Sequence, residues 1–148
     1  MSAARHVFAA ILFNCVIAIG SFAAERGDLG VRRAGDLIVR AKSMHDAGYY
    51  YEAVKLYTVA IELDPKFAPA YYNRGVAYKG LNDYSSAIKD WTRTIELSPR
   101  YTGAYNERTI AYLLQEKHQE ATKDAIRACE LGDCKVLEYM SRNNLVRD

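Results

Sequence analysis

Cys129 and Cys134 stand five positions apart near the C-terminal end of a chain of 148 residues. A bond between them would close a six-residue loop, contributing roughly 2 kcal/mol on the chain-entropy account. Two buried, reduced thiols are the competing state, and the redox compartment decides between them. Three arginines are the next group whose type and spacing could matter. Arg40, Arg74 and Arg108 recur at one interval, and sixteen residues beyond them lie Leu56, Asp90 and Asp124. On facing helices, Arg74–Asp90 and Arg108–Asp124 become ion pairs that fix register more than they add stability. Arginines answered in this way do not form the open basic face of a nucleic-acid reader. His45-Asp46 is an acid–base pair with no nucleophile in the right setting, and neighbours on a helix point apart. His118 and His45 lie in different segments, and no close Cys-x-x-Cys or His-x-x-x-His pair exists, so no metal or other cofactor is expected. With neither a Gly-rich phosphate loop nor a Gly-x-Ser-x-Gly elbow, no residue is nominated as catalytic and the chain is not expected to be an enzyme.

The scaffold that positions these groups repeats itself. Pro65 and Pro99 are 34 residues apart, and the next step lands on Asp133 after Leu131-Gly132. The same interval relates Ala53, Ala87 and Ala121; Tyr57, Trp91 and Ala125; Met44, Tyr78 and Tyr112; Ala41, Gly75 and Thr109; and Ala60, Thr94 and Ala128. The register is three units, 34–67, 68–101 and 102–135. Each unit divides into two helices. In the middle unit Pro69 suits a first helical turn, where its missing N–H costs nothing. Tyr71, Gly75 and Tyr78 fall on one helical face. Gly80-Leu81-Asn82-Asp83 breaks the pattern, and Asn82 or Asp83 can cap the second helix. Ala87, Ile88, Trp91 and Ile95 form its apolar stripe, and Ser98-Pro99 stops it. The small Gly75 and Ala87 let the two helices approach, while Tyr78 and Trp91 fill the space beside them. One such pair cannot bury its stripe alone, so neighbours must stack. Residues 133–143, with Val136, Leu137 and Met140 on one face, read as a helix covering the last stripe, ended by Asn143-Asn144; the tail runs to residue 148.

Composition and the N-terminal segment set the compartment. Apolar residues make up 50% and charged residues 26%, which permits a packed core and excludes global disorder. The net charge of +2 is too small to argue for a nucleic-acid or membrane surface. Arg5, then the apolar Val7 to Ile19, then Gly20-Ser21-Phe22-Ala23-Ala24 follow the charged, apolar, small-residue order of an export signal. The expected cleavage falls after Ala23, with Gly20 as the competing site. Residues 1–23 are then the signal and 24–33 a linker. The alternative is a retained anchor over residues 7–24, about 18 residues and at the lower edge of what spans a bilayer. Cleavage removes Cys15, leaving Cys129 and Cys134 as an even pair in a periplasmic or extracellular setting that favours their disulfide.

Spacing and residues together resemble the tetratricopeptide repeat over 34–135. The middle unit is closest, from Tyr71-Tyr72-Asn73-Arg74-Gly75-Val76-Ala77-Tyr78 through Ala87-Ile88 to Pro99. The third departs most, with Thr109 for the small residue, Ala125 for the aromatic and Gly132-Asp133 for the proline stop. The resemblance implies an all-α solenoid: three helix-turn-helix repeats in a right-handed superhelix, closed by the C-terminal capping helix. It also implies a concave groove lined by the first helix of each repeat. Projected onto this chain, that groove shows Ile38, Val39, Lys42, His45, Tyr72, Asn73, Val76, Lys79, Asn106, Glu107, Ile110 and Leu113, with Asn73 and Asn106 available to a peptide backbone. Family members that clamp a chaperone's C-terminal carboxylate use basic residues and asparagines along the groove. Only Asn73 matches. Ile38, Lys42, Gly103 and Glu107 occupy the other clamp positions, and Glu107 would repel a carboxylate. The expectation is an exported scaffold that binds a peptide or protein partner. The alternative is an anchored structural or oligomerising module, and a stack with two open ends can also pair with itself.

Overall fold

The computed structural model describes residues 32–146. Among them are seven helices and no strand: α1 over 32–46, α2 Tyr50–Leu63, α3 Ala68–Gly80, α4 Tyr84–Leu97, α5 Thr102–Leu114, α6 His118–Glu130 and α7 Lys135–Arg142. The fold is the all-α solenoid of stacked helical pairs. The export signal expected over 1–23, and the alternative anchor over 7–24, lie outside the described residues. Arg32 and Arg33, assigned to the linker, are helical instead. No breaker separates them from Ala34, which is 2% exposed and holds that turn against the core.

Local chemistry sets the boundaries. Pro69 occupies the first turn of α3. The Asp83 carboxylate caps α4 by accepting the Ser86 backbone N–H at 3.0 Å, and the Ser86 hydroxyl together with that N–H draws its pKa below the usual aspartate range. Asn82 adopts a left-handed φ of 59° just before that cap. At the other end of α4, Ser98 is the residue after Leu97, ahead of Pro99. Gly132, at φ 103°, makes the turn between α6 and α7 that a side chain would strain. Asn143 follows the last residue of α7, and Asn144 turns left-handed at φ 55°.

Burial follows the repeat. Ala41, Ala53, Ala87 and Ala121 are fully buried, as are Trp91 and Ala125, and Tyr57 is 1% exposed. Gly75 lies so close to Trp91 that a Cβ there would sit 2.6 Å from Nε1. Tyr78 and Tyr112 are half-buried against neighbouring clusters. The last cluster is made of Ala121, Ala125 and Met140, with Val136, Leu137, Tyr112, Leu113 and Leu145 packed on it, so α7 covers the third pair.

The arginines tie the stack together laterally. Arg74 on α3 donates from Nε and Nη2 to both oxygens of Asp90 on α4, each at 2.8 Å. Its Nη1 reaches back to Thr58 Oγ1 on α2 at 3.0 Å. Arg108 repeats the arrangement with Asp124 at 2.7 and 2.8 Å and with Thr92 at 2.8 Å. Each guanidinium therefore joins its own pair to the preceding one, flanked by Tyr71 and Tyr78 or by Tyr105 and Tyr112. Burial pushes the Asp90 carboxyl above its ordinary range against the pull of Arg74. Arg40 differs: it is exposed, and Leu56 stands where the acid would be. Because the pair is largely dry, removing one partner is worse than removing both. Asp90→Ala is expected to lower the unfolding free energy by about 2–4 kcal/mol. The double change Arg74→Leu with Asp90→Leu should cost less than Asp90→Ala alone, as read by urea unfolding in a double-mutant cycle.

Candidate functional site

The first helices of the pairs share one side of the stack, and α3 touches α5 directly. On that side α1, α3 and α5 enclose a trough of about 160 Å³ lined by Lys42, His45, Asp46, Tyr57, Tyr72, Asn73, Val76 and Glu107. Tyr72 is its central feature. Its ring lies 4.8 Å from that of Tyr101, and Gly103 leaves room for it, since a Cβ there would come 3.3 Å from the hydroxyl. Lys79 Nζ donates to Glu107 Oε2 at 2.6 Å and bridges α3 to α5 across the floor. Lys42 stays exposed at one end. His45 meets Tyr50 edge-on at 5.2 Å. Its Nδ1 also lies 3.4 Å from Asp46 Oδ1, so the neighbours do not point apart. Both sit in the last turn of α1, where the chain leaves the helix at Ala47-Gly48 and a short carboxylate can curl back.

The two asparagines are already engaged. Asn73 Nδ2 donates to the Pro69 carbonyl at 2.8 Å. Asn106 Nδ2 donates to Asp133 Oδ2 at 2.8 Å, so Asn106 orients the turn before α7, and its buried Oδ1 has no partner among the described residues. Farther along α5 the surface changes character. Ile110, Leu113 and Leu114 face Lys135, Val136, Tyr139 and Leu145 around an apolar cavity of about 410 Å³. Ile38 is half-buried beneath the first pair, and Val39 is 72% exposed.

Family models for the tetratricopeptide repeat match residues 68–101 and 41–82. Residues 41–101 are tetratricopeptide repeats, and the described residues fold as the all-α solenoid such repeats build. Its structure is similar to the first such domain of Spaghetti (RPAP3) bound to the HSP90 peptide SRMEEVD, at 28% identity and a TM-score of 0.73 over 77% of this chain and 92% of that one. It is also similar to the second domain of human RPAP3 in complex with the HSP70 peptide SGPTIEEVD, at 27% identity and a TM-score of 0.70 over 80% and 98%. The Arabidopsis OM64 domain shares the fold at 22% identity and a TM-score of 0.73, over 77% and 95%. No curated protein matches the chain.

Sequence reasoning missed several members of these repeats. Thr58 and Thr92 are 34 apart, and each precedes an arginine by sixteen residues, so the repeat interval itself carries their signal. The Asn106–Asp133 bond and the Tyr72–Tyr101 stack have no counterpart in the repeat pattern. Cys129 and Cys134 lie side by side at the α6–α7 turn, with Cα atoms 4.0 Å apart. Among the described residues no cluster of His, Cys, Asp and Glu could hold a metal, and no helix is long and apolar enough to cross a membrane.

Two phenols of the trough titrate late. Burial pushes Tyr72 up to about 12, helped by the Glu107 carboxylate and by Tyr101. Burial likewise raises Tyr57 to about 12, with Asp46 adding to it. Both therefore remain neutral hydroxyls at physiological pH. Because the folded values exceed the unfolded value of 10.0, their contribution is complete below that pH and is lost as pH rises through the folded values. Unfolding free energy measured in denaturant should fall between pH 10 and 12. The fall should be shallower in a Tyr72→Phe variant.

Proposed function

We propose that this chain is an exported, non-enzymatic scaffold that holds a peptide or protein segment in the trough along α1, α3 and α5. The observation that carries this reading is the likeness to repeat domains bound to peptides, at TM-scores of 0.73 and 0.70. A rigid groove keeps the ordering cost of binding low, and that is what a solenoid offers a flexible segment. The bound segments in those neighbours end in a glutamate- and aspartate-rich tail. We do not extend that ligand to this chain. Lys42 forms no ion pair among the described residues, while Lys79 is neutralised by Glu107, whose own carboxylate stands in the floor. Lys42, Tyr72 and Val76 are the proposed contacts, with His45, Asn73, Asn106 and Ile110 shaping the walls.

The test is panning of a random peptide library against the folded chain. Binders should lose affinity at least several-fold with Lys42→Glu and with Tyr72→Phe, and keep it with Lys123→Glu on the exposed face of α6. Equal losses from all three changes would remove the groove from consideration.

Export is supported by the residue order of the N-terminal segment, and a Cys129–Cys134 disulfide is supported by the 4.0 Å separation of their Cα atoms. Protein recovered from its producing cell should begin at Ala24 and show no alkylatable thiol before reduction. Cys134→Ser should then lower stability by roughly 2 kcal/mol. A chain beginning at Met1 would instead favour the anchored reading, in which the repeats serve as a structural module at a membrane.

A further inference from the structure

The first-helix surface is not uniform, and the 34-residue register makes the change explicit. Lys42, His45 and Asp46 of the first repeat correspond to Val76, Lys79 and Gly80 of the second and to Ile110, Leu113 and Leu114 of the third. Equivalent slots thus run from charged, through mixed, to wholly apolar. The apolar end remains open: Ile110 is 39% exposed, Leu114 57% and Tyr139 57%. Isolated exposed apolar side chains are ordinary, but here they converge on one cavity of about 410 Å³ between α5 and α7, floored by Leu113, Val136 and Leu145. The two halves are continuous, because Glu107 ends the polar trough and Ile110 begins the apolar cavity one helical turn later on α5.

One charge borders this cavity. Lys135, in the first turn of α7, is exposed, and its ammonium has no carboxylate within ion-pair distance among the described residues. Asp133 is occupied by Asn106 and by the Lys135 backbone N–H. We infer that the α5–α7 cavity is the specificity pocket of the groove, taking a peptide segment with two large apolar side chains next to a carboxylate that meets Lys135. The inference rests on the groove reading above and adds the chemistry of the partner: acidic and apolar at one end, polar toward Lys42.

Sequencing the peptides enriched by panning tests this directly. Enriched peptides should share a pair of Leu, Ile, Met or Phe residues beside an Asp or Glu. Their affinity should drop at least ten-fold with Leu114→Asn and with Lys135→Glu. Both positions are exposed, so circular dichroism and thermal unfolding should stay at wild-type values. Binders without the apolar pair, or binders weakened by Lys42→Glu but untouched by Leu114→Asn and Lys135→Glu, would overturn the pocket while leaving the groove reading intact. No enrichment at all would overturn both. Sedimentation showing that the cavity is closed by a second copy of the chain, with Leu114→Asn restoring the monomer, would also overturn the peptide assignment.

Discussion

The structure depends on how closely two helices can approach at one crossing in each repeat. In the second repeat a Cβ on Gly75 would meet the Trp91 ring at 2.6 Å, so the indole fills the space that the missing side chain leaves. The equivalent slots hold Ala41 with Tyr57 in the first repeat and Thr109 with Ala125 in the third. As one side of the crossing grows from glycine to alanine to threonine, the other shrinks from tryptophan to tyrosine to alanine. Close packing tolerates little change in total volume at a buried contact, and trading size across the crossing keeps the pair spacing within what the next repeat can accept. Thr109 also keeps its hydroxyl satisfied by the Tyr105 carbonyl at 2.9 Å, so its polarity adds no unpaired group.

That trade has a consequence at the C-terminal end. Alanine at position 125 leaves the outer side of α6 without the aromatic cover that Trp91 gives α4, and Met140 of α7 enters the last cluster against Ala121 and Ala125, fully buried. Tyr139 and Arg142 fall on the repeat slots of Tyr105 and Arg108. They do not form another rung, because turning Met140 inward leaves Tyr139 57% exposed and the Arg142 side chain 77% exposed. The helix that closes the core therefore also brings Val136 and Tyr139 to the wall of the apolar cavity. The Asn106–Asp133 bond at the turn before α7 helps hold that wall in place, which an eight-residue helix could not do by its own propensity.

The period of 34 made the pairs, their boundaries and the Arg–Asp partners legible, because each follows from residue type at a fixed spacing. Thr58 and Thr92 obey the same spacing, yet their role depends on a third guanidinium N–H that reaches them only in the folded stack. The rungs also vary as units. Where Tyr71 and Arg74 stand on the first helix, Asp90 and Arg93 answer from the second, and Tyr105, Arg108, Asp124 and Arg127 repeat the set. In the first repeat Leu37 and Arg40 face Val59 and Leu56 instead, at the exposed end of the stack. The candidate site was less legible than the fold. Its residues were found by projection, but whether each one is free depends on contacts between repeats. Asn106 is turned toward Asp133 and Lys79 toward Glu107 by residues 27 and 28 positions away.

Such long-range pairing also explains why the groove has direction. Along α1, α3 and α5 the first-helix surface must do two things: leave side chains for a ligand and hold successive helices together. In the middle of the stack the second demand is met by polar groups, with Lys79–Glu107 spanning α3 to α5 at 2.6 Å. At the end the neighbour is α7, whose contact with α5 and α6 is apolar, so the residues of α5 nearest to it are apolar as well. The gradient from Lys42 to Leu114 is thus first a consequence of how the solenoid is closed. Any segment lying along the groove meets that gradient in one orientation better than in the reverse.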